Sequence, residues 1–195
     1  MSVNGFGGTL VVNLPPPLPT LDFRGARVVK VLAGDTDFVS LEVLKFTAEA
    51  THPDFGRIVL ARPDDDYGPS SILALAPGGH GLIERWHQAL RVTVERCGDC
   101  PGPFRFRTLE PAEWTAELSR FPPPAQRAEA NGASTGGTRY RMTRPIRLGA
   151  ALDDAAHAEA GTCRCALGKP LSASASEARP QFARIEGLDL THGAL

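Results

Sequence analysis

The chain has 195 residues, enough to bury one sizeable core, and carries 21 basic against 22 acidic side chains. The resulting net charge of −1 excludes a global field that would draw nucleic acid or anionic lipid. Twenty glycines and seventeen prolines argue against a helical bundle, because helix interiors tolerate neither residue and turns use both.

No apolar run approaches the roughly 20 residues of a membrane-spanning helix. The opening MSVNGFGGTLVVNLPPPLP lacks the basic start and long apolar stretch of a secretion signal. The expectation is a protein made in the cytoplasm, whose four cysteines serve as thiols or metal ligands before disulfides.

In chain order, residues 1–20 read as an extended arm. Glycines 5, 7 and 8 loosen its start, Leu10, Val11 and Val12 form a short β-type patch, and Pro15-Pro16-Pro17-Leu18-Pro19 imposes a polyproline path. Ordering costs roughly 1–2 kcal/mol of backbone freedom per residue. Three apolar side chains do not offset that, so the arm is expected to order only against another chain, with Leu10 to Val12 as the contact.

From residue 21 to 120 the texture is that of strands. Val28 to Leu32 is β-branched and ends at the turn signal Gly34-Asp35, and Val39 to Phe46 begins with period-two alternation. Arg57 to Leu60 and Ser71 to Leu75 flank DDDYGP and read as a hairpin with a long loop. Gly81 to Leu90 fits a short helix or turn running into the alternating Arg91 to Glu95. Phe104 and Phe106 alternate with Arg105 and Arg107, which predicts aromatic side chains inward and guanidinium groups outward. Trp114, Ala116 and Leu118 suggest a further strand. Residues 121–138 read as a linker, and 139–195 as a smaller C-terminal region. Within it lie an edge strand broken by Pro145, a short helix over Asp153 to Ala160, and a last strand over Pro180 to Leu190. The fold class expected is mainly β, a small barrel or sandwich with an N-terminal arm and a loop-rich C-terminal region.

One constellation has a recognisable chemistry. Cys97-Gly98-Asp99-Cys100 lets two sulfurs converge across a tight turn, and Cys163-Arg164-Cys165 supplies a second pair. Together they would make a Cys₄ zinc site, the one cofactor the sequence suggests. The Cys-x-Cys spacing is tighter than a zinc knuckle, and free thiols or disulfides within or between the pairs remain open. Cys97 or Cys100 with His80 or His87 would be the thiol–base pair of an enzyme, but no nucleophile motif surrounds them. Asp64-Asp65-Asp66 lacks the alternate spacing of a calcium loop, and Gly78-Gly79-His80-Gly81 lacks the lysine of a phosphate loop. Both are expected as exposed loops. Arg139 and Arg141 alternate with Tyr140 and Met142, placing two cations on one strand face suited to phosphate or an acidic surface.

The run VSLEVLKFTAEATHPDFGRIVLARP, followed by LRVTVERCGDCPGPFRFRTLEP, resembles the opening β-barrel domain of tailed-phage baseplate-hub and tail-tip proteins, over about residues 25–120. That resemblance implies a non-enzymatic structural subunit of a virion-like particle, with no catalytic residue, assembled through contacts with other subunits or with itself. The alternative is a zinc-stabilised binding module, followed by a thiol enzyme.

Overall fold

A computed structural model describes residues 1–65, 71–128, 134–151, 165–171 and 179–194. The described residues form fifteen strands in antiparallel pairings. They are β1 (Ser2–Val11), β2 (Thr20–Gly34), β3 (Phe38–His52), β4 (Gly56–Ala61), β5 (Ser71–Leu75), β6 (Leu82–Gln88), β7 (Arg91–Cys97) and β8 (Cys100–Thr108). There follow β9 (Ala112–Leu118), β10 (Gln126–Ala128), β11 (Ser134–Gly136), β12 (Thr138–Met142), β13 (Ile146–Ala150), β14 (Gln181–Glu186) and β15 (Asp189–Gly193).

All but β10 and β11 belong to one sheet that closes on itself twice. The first ring runs β1-β2-β3-β4-β7-β8-β13-β14 and closes by pairing β14 with β1. The second runs β1-β2-β3-β5-β6-β9-β12-β15 and closes by pairing β5 with β3. The shared strands divide their edges between the rings. In β1, Ser2 to Phe6 pair with β15, while Thr9 to Val11 pair with β14. In β3, Phe38 to Leu41 pair with β5, while Thr47 to His52 pair with β4.

These strands are the long ones because each must serve two rings in succession. An irregularity in β1 between Gly5 and Gly8 marks its switch of partner. In β3, Val28 faces Lys45 and Val29 faces Val43, so Leu44 is an extra residue turned outward. Gly25 sits where β2 crosses closest to β3. A Cβ there would lie 1.9 Å from the Thr47 carbonyl oxygen, so only glycine permits the approach.

Period-two alternation fills the core. In the first ring Ile58 and Leu60 of β4, Val92 and Val94 of β7, and Phe104 and Phe106 of β8 are buried, with Ile146, Leu148, Ala183 and Ile185 beside them. Arg105 is exposed and Arg107 half-buried, as the alternation predicts. The barrel-type β fold expected from the sequence is present.

Several local expectations are corrected. Residues 1–20 are not an arm awaiting another chain: Val3, Leu10 and Val12 are buried, and Leu10 and Val11 pair with Ile185 and Arg184. The burial that three side chains alone could not supply comes from joining both rings at once. β4 and β5 do not pair with each other, since each pairs with β3 at opposite ends. Residues 82–88 are strand throughout, because their inward positions, not a helical stripe, carry the large side chains. The region from 139 onward is not separate, as β12 to β15 complete both rings. The helix expected over Asp153 to Ala160 lies outside the described residues.

Candidate functional site

The inward faces of β2, β6, β9, β12 and β15 place Arg27, Glu84, Trp86, Trp114, Tyr140 and His192 together in the second ring, all with no solvent exposure. The alternation that buries Leu82-side residues of β6 here buries a carboxylate, so the burial is costly without partners. Arg27 Nη2 lies 2.7 Å from Glu84 Oε1. Those two atoms make an ion pair without hydrogen-bond alignment, since neither has a partner of proper geometry. The Tyr140 hydroxyl donates to Glu84 Oε2 at 2.6 Å. The Arg27 guanidinium carbon lies 4.3 Å from the Trp86 ring centroid, a cation–π contact. Trp86 stacks on Trp114 at 4.4 Å, and Tyr140 stacks on His192 at 4.1 Å. Phe46 meets Trp86 edge-on at 5.2 Å.

Electrostatics fixes the protonation of two members. Burial, then the Glu84 carboxylate, pushes the Tyr140 phenol well above its ordinary range, so it stays a donor. Burial, then the Arg27 charge, then the N-terminal ammonium, holds His192 well below its usual pKa. His192 is therefore a neutral ring with one N–H and one lone pair. Among the described residues neither nitrogen has a hydrogen-bond partner of proper geometry, nor do Arg27 Nε and Nη1 or Trp86 Nε1, although Arg27 lies close enough to the Tyr140 hydroxyl to oppose part of the rise in its pKa. Each buried polar atom left unpaired costs about 1–3 kcal/mol. Such a concentration of unmet donors at one point calls for a polar group to receive them.

Directly outside this cluster the wall opens. β9 and β12 pair only through Thr115 with Arg141 and Trp114 with Met142. Beyond that point Ala116 and Glu117 part from Thr138 and Arg139, leaving a groove of about 370 Å³ that Ile83 and Arg141 also line. Ala116 is the cross-strand neighbour of Glu84, and Tyr140 stands between Arg139 and Arg141, so one strand thickness separates groove from cluster. Arg139 is held by Asp189 at 2.7 Å, and the other oxygen of that carboxylate accepts the Met142 N–H at 2.9 Å. Arg141 is exposed and has no ionic partner among the described residues. The shared outward face expected for Arg139 and Arg141 is thus found, at the rim of this groove.

The cysteines gather elsewhere. Cys97 and Cys100 face each other across the β7–β8 turn, with Gly98 at φ 59°, a left-handed conformation that favours glycine. Cys100 is disulfide-bonded, whereas Cys97 and Cys165 are free thiols in mutual contact. Cys163 lies outside the described residues. A disulfide sulfur is not a thiolate ligand, and among the described residues no group of three or more His, Cys, Asp or Glu is placed to hold a metal. Burial, with Cys165 adding to it, pushes the Cys97 thiol up to about 11. Its neighbours are Cys165, Ala166 and Leu167, not a histidine. His80 sits in an exposed turn, and His87 points outward on β6, its backbone N–H donating to Ser71 Oγ at 3.2 Å. The thiol–base pair is not assembled. Asp64 and Asp65 are exposed, the latter paired with Arg107 at 3.0 Å, while Asp66 lies outside the described residues.

No family model and no curated protein matches the chain. Among solved structures it is similar to DynF from the dynemicin biosynthesis pathway of Micromonospora chersina. The TM-score is 0.59 at 15% identity, over 99% of this chain and 78% of DynF. At that identity the likeness carries the fold alone. It overturns the expected phage-tail or baseplate-like structural subunit: the whole chain follows the fold of a biosynthetic-pathway protein, and the supposed arm is built into the sheet. Among the described residues no helix is long and apolar enough to cross a membrane.

Proposed function

We propose that this chain is a small-molecule-binding β-barrel, acting by binding rather than turnover. Its ligand is an organic compound with a flat apolar body and a hydrogen-bond-accepting group, a carbonyl or carboxylate. The single observation that carries the reading is the set of unpartnered donors on Arg27, Trp86 and the neutral His192, fully buried beside stacked aromatic rings. Ligand sites combine apolar and aromatic lining with a few placed polar groups, and this cluster has that composition. The groove between β9 and β12 supplies the approach, with Arg141 at its rim as the first charge an acidic ligand meets. Glu84 is occupied by Arg27 and Tyr140, which suits it to orienting the donors and not to taking a proton. DynF comes from the dynemicin biosynthesis pathway, and a barrel that holds a biosynthetic compound fits that neighbour.

The molecule contains its own reporter, since its two tryptophans, Trp86 and Trp114, are both in the cluster. Tryptophan emission is followed while aromatic and long-chain carboxylic acids are added, alongside native mass spectrometry of the freshly purified protein. The expected result is saturable quenching by a subset of these acids, lost in Arg27→Met together with Glu84→Leu. No spectral response to any acid, with a crystal structure in which ordered waters alone satisfy Arg27, Trp86 and His192, would overturn the proposal.

A further inference from the structure

Three sulfurs meet at the end of the β7–β8 hairpin. Cys97 closes β7 opposite Cys100, which opens β8, and Cys97 is buried. The turn between them is held in place: Gly98 takes φ 59°, and its N–H donates to the Asp54 carbonyl at 2.8 Å. Against this hairpin lies a second tight turn, Cys165-Ala166-Leu167-Gly168, closed by the Gly168 N–H donating to the Cys165 carbonyl at 3.2 Å. It belongs to no strand, but Ala166 and Leu167 are buried in the core. The backbone N–H groups of Leu167 and Ala166 face the Cys97 sulfur, and the Cys165 thiol touches it. A core cysteine packs as a small apolar side chain and needs no second sulfur. Here two fixed turns hold one free thiol against another, and Cys165 keeps a half-exposed face. Cys100 is already in a disulfide, so the pair left for oxidation is Cys97 and Cys165.

We propose that Cys97 and Cys165 are a redox-active dithiol that small-molecule disulfides oxidise, a site separate from the ligand cluster of the second ring. Cys165 is the sulfur that a reagent reaches. Its thiolate attacks one sulfur of the disulfide, forming a mixed disulfide on Cys165 and expelling a thiolate that takes up the proton Cys165 gave. The Cys97 sulfur then attacks the Cys165 sulfur, closing the Cys97–Cys165 bond. The second small thiol leaves with the Cys97 proton. Two electrons thus pass from the pair to the reagent, which departs as two thiols. Burial keeps Cys97 from a reagent in solution, but its contact with Cys165 makes the second step intramolecular, where proximity replaces concentration. The new bond ties the Cys165–Gly168 turn to the end of the first ring.

The test incubates the full chain, purified without reductant, with oxidised glutathione, then blocks remaining thiols with N-ethylmaleimide in denaturant. Trypsin cuts after Arg96 and Arg164, and a second cleavage before Asp99 separates Cys97 from Cys100. Mass spectrometry is expected to find Cys97 joined to Cys165, with Cys100 outside that bond. Cys97→Ala is expected to stop at a glutathione adduct on Cys165. In Cys165→Ala, Cys97 should take up glutathione at least about 10-fold more slowly than Cys165 does in Cys97→Ala. Cys97→Ser, closer in size, repeats the first variant if the alanine disturbs folding. Cys97 and Cys165 both still blocked by maleimide, Cys97 joined to Cys100, or equal adduct rates in the two variants overturns the proposal. One equivalent of zinc held by the untreated chain and released on blocking Cys165 would assign these sulfurs to a metal, and overturns it as well.

Discussion

The two rings share three strands, yet their interiors differ in kind. The interior of the first, on β4, β7, β8, β13 and β14, is apolar apart from Gln181 at the start of β14, with Val92 set against Phe106 and Val94 against Phe104. The second encloses a carboxylate, a guanidinium, a phenol and an imidazole at zero exposure. Apolar alternation is sufficient to close a ring of this size, as the first shows. The polar cluster in the second is therefore not required by the architecture. Buried charges of this kind add little stability over well-packed apolar residues, which leaves recognition as the reason for their presence.

The largest effects should come from breaking each ring in its own currency of contacts. Phe106→Ala removes a fully buried ring and is expected to cost about 3–5 kcal/mol, read from denaturant unfolding. Glu84→Gln leaves Arg27 buried without a counter-charge and should cost a similar 3–5 kcal/mol. The comparison sharpens in the double variant Arg27→Met/Glu84→Leu. Most of the lost stability should return, while tryptophan-reported ligand binding stays lost. If the double variant is no more stable than Glu84→Gln, the pair is structural and the contrast between the rings fails.

The first ring was the more legible in sequence. Phe104 and Phe106 alternate with arginines, so their faces follow from the strand period alone. The second hid its site, because Leu82, Ile83, Trp86 and Leu90 fall at a spacing that suits a helix, while Glu84 between them gives no sign of facing inward. Arg27 opens a β-branched run and gives no sign of which face it takes until β1 and β3 fix the register. His192 lies 165 residues from Arg27, and nothing local brings them together. Residues 1–20 look like a free arm in sequence for a related reason. Their stabilisation lies in pairings with β2, β14 and β15, distant in sequence and invisible to any reckoning made segment by segment.

A pH titration separates the rings less drastically. His192 is held well below the ordinary histidine value of 6.5, so below about pH 6.5 the unfolded chain takes up a proton there that the folded chain refuses. Stability should then fall with falling pH, approaching about 1.4 kcal/mol per pH unit from this one group. The groups facing it are Arg27, the N-terminal ammonium and the neutral Tyr140, none of which relieves the effect. His192→Phe should flatten the slope in this window. An unchanged slope would mean that His192 is protonated in the fold.

At the first ring's end, the free thiols offer a smaller contrast. The Cys97 thiol, pushed up to about 11 by burial, has on the order of 0.1% thiolate at pH 8. Iodoacetamide should therefore modify the half-buried Cys165 first, as peptide mass spectrometry would show. Faster modification of Cys97 would place it in the open.

The smallest effects concern the outer faces, and they test whether the groove serves the second ring. Arg107 is half-buried and pairs with exposed Asp65, so Arg107→Ala should leave the melting temperature nearly unchanged. Arg141→Glu should also leave stability alone, since Arg141 holds no ionic partner among the described residues. The two substitutions differ in what they do to binding. Arg141 stands at the groove rim, over the strand that carries Tyr140, so reversing its charge should slow association of an acidic ligand. A rim charge acts on encounter, which predicts a fall of about 3- to 10-fold in the stopped-flow association rate and little change in dissociation. Added salt should narrow the gap between wild type and variant, as screening removes the field both depend on. Arg107→Ala, on the first ring, should move neither rate. Equal rates in Arg141→Glu and wild type at low salt would mean that the ligand enters elsewhere.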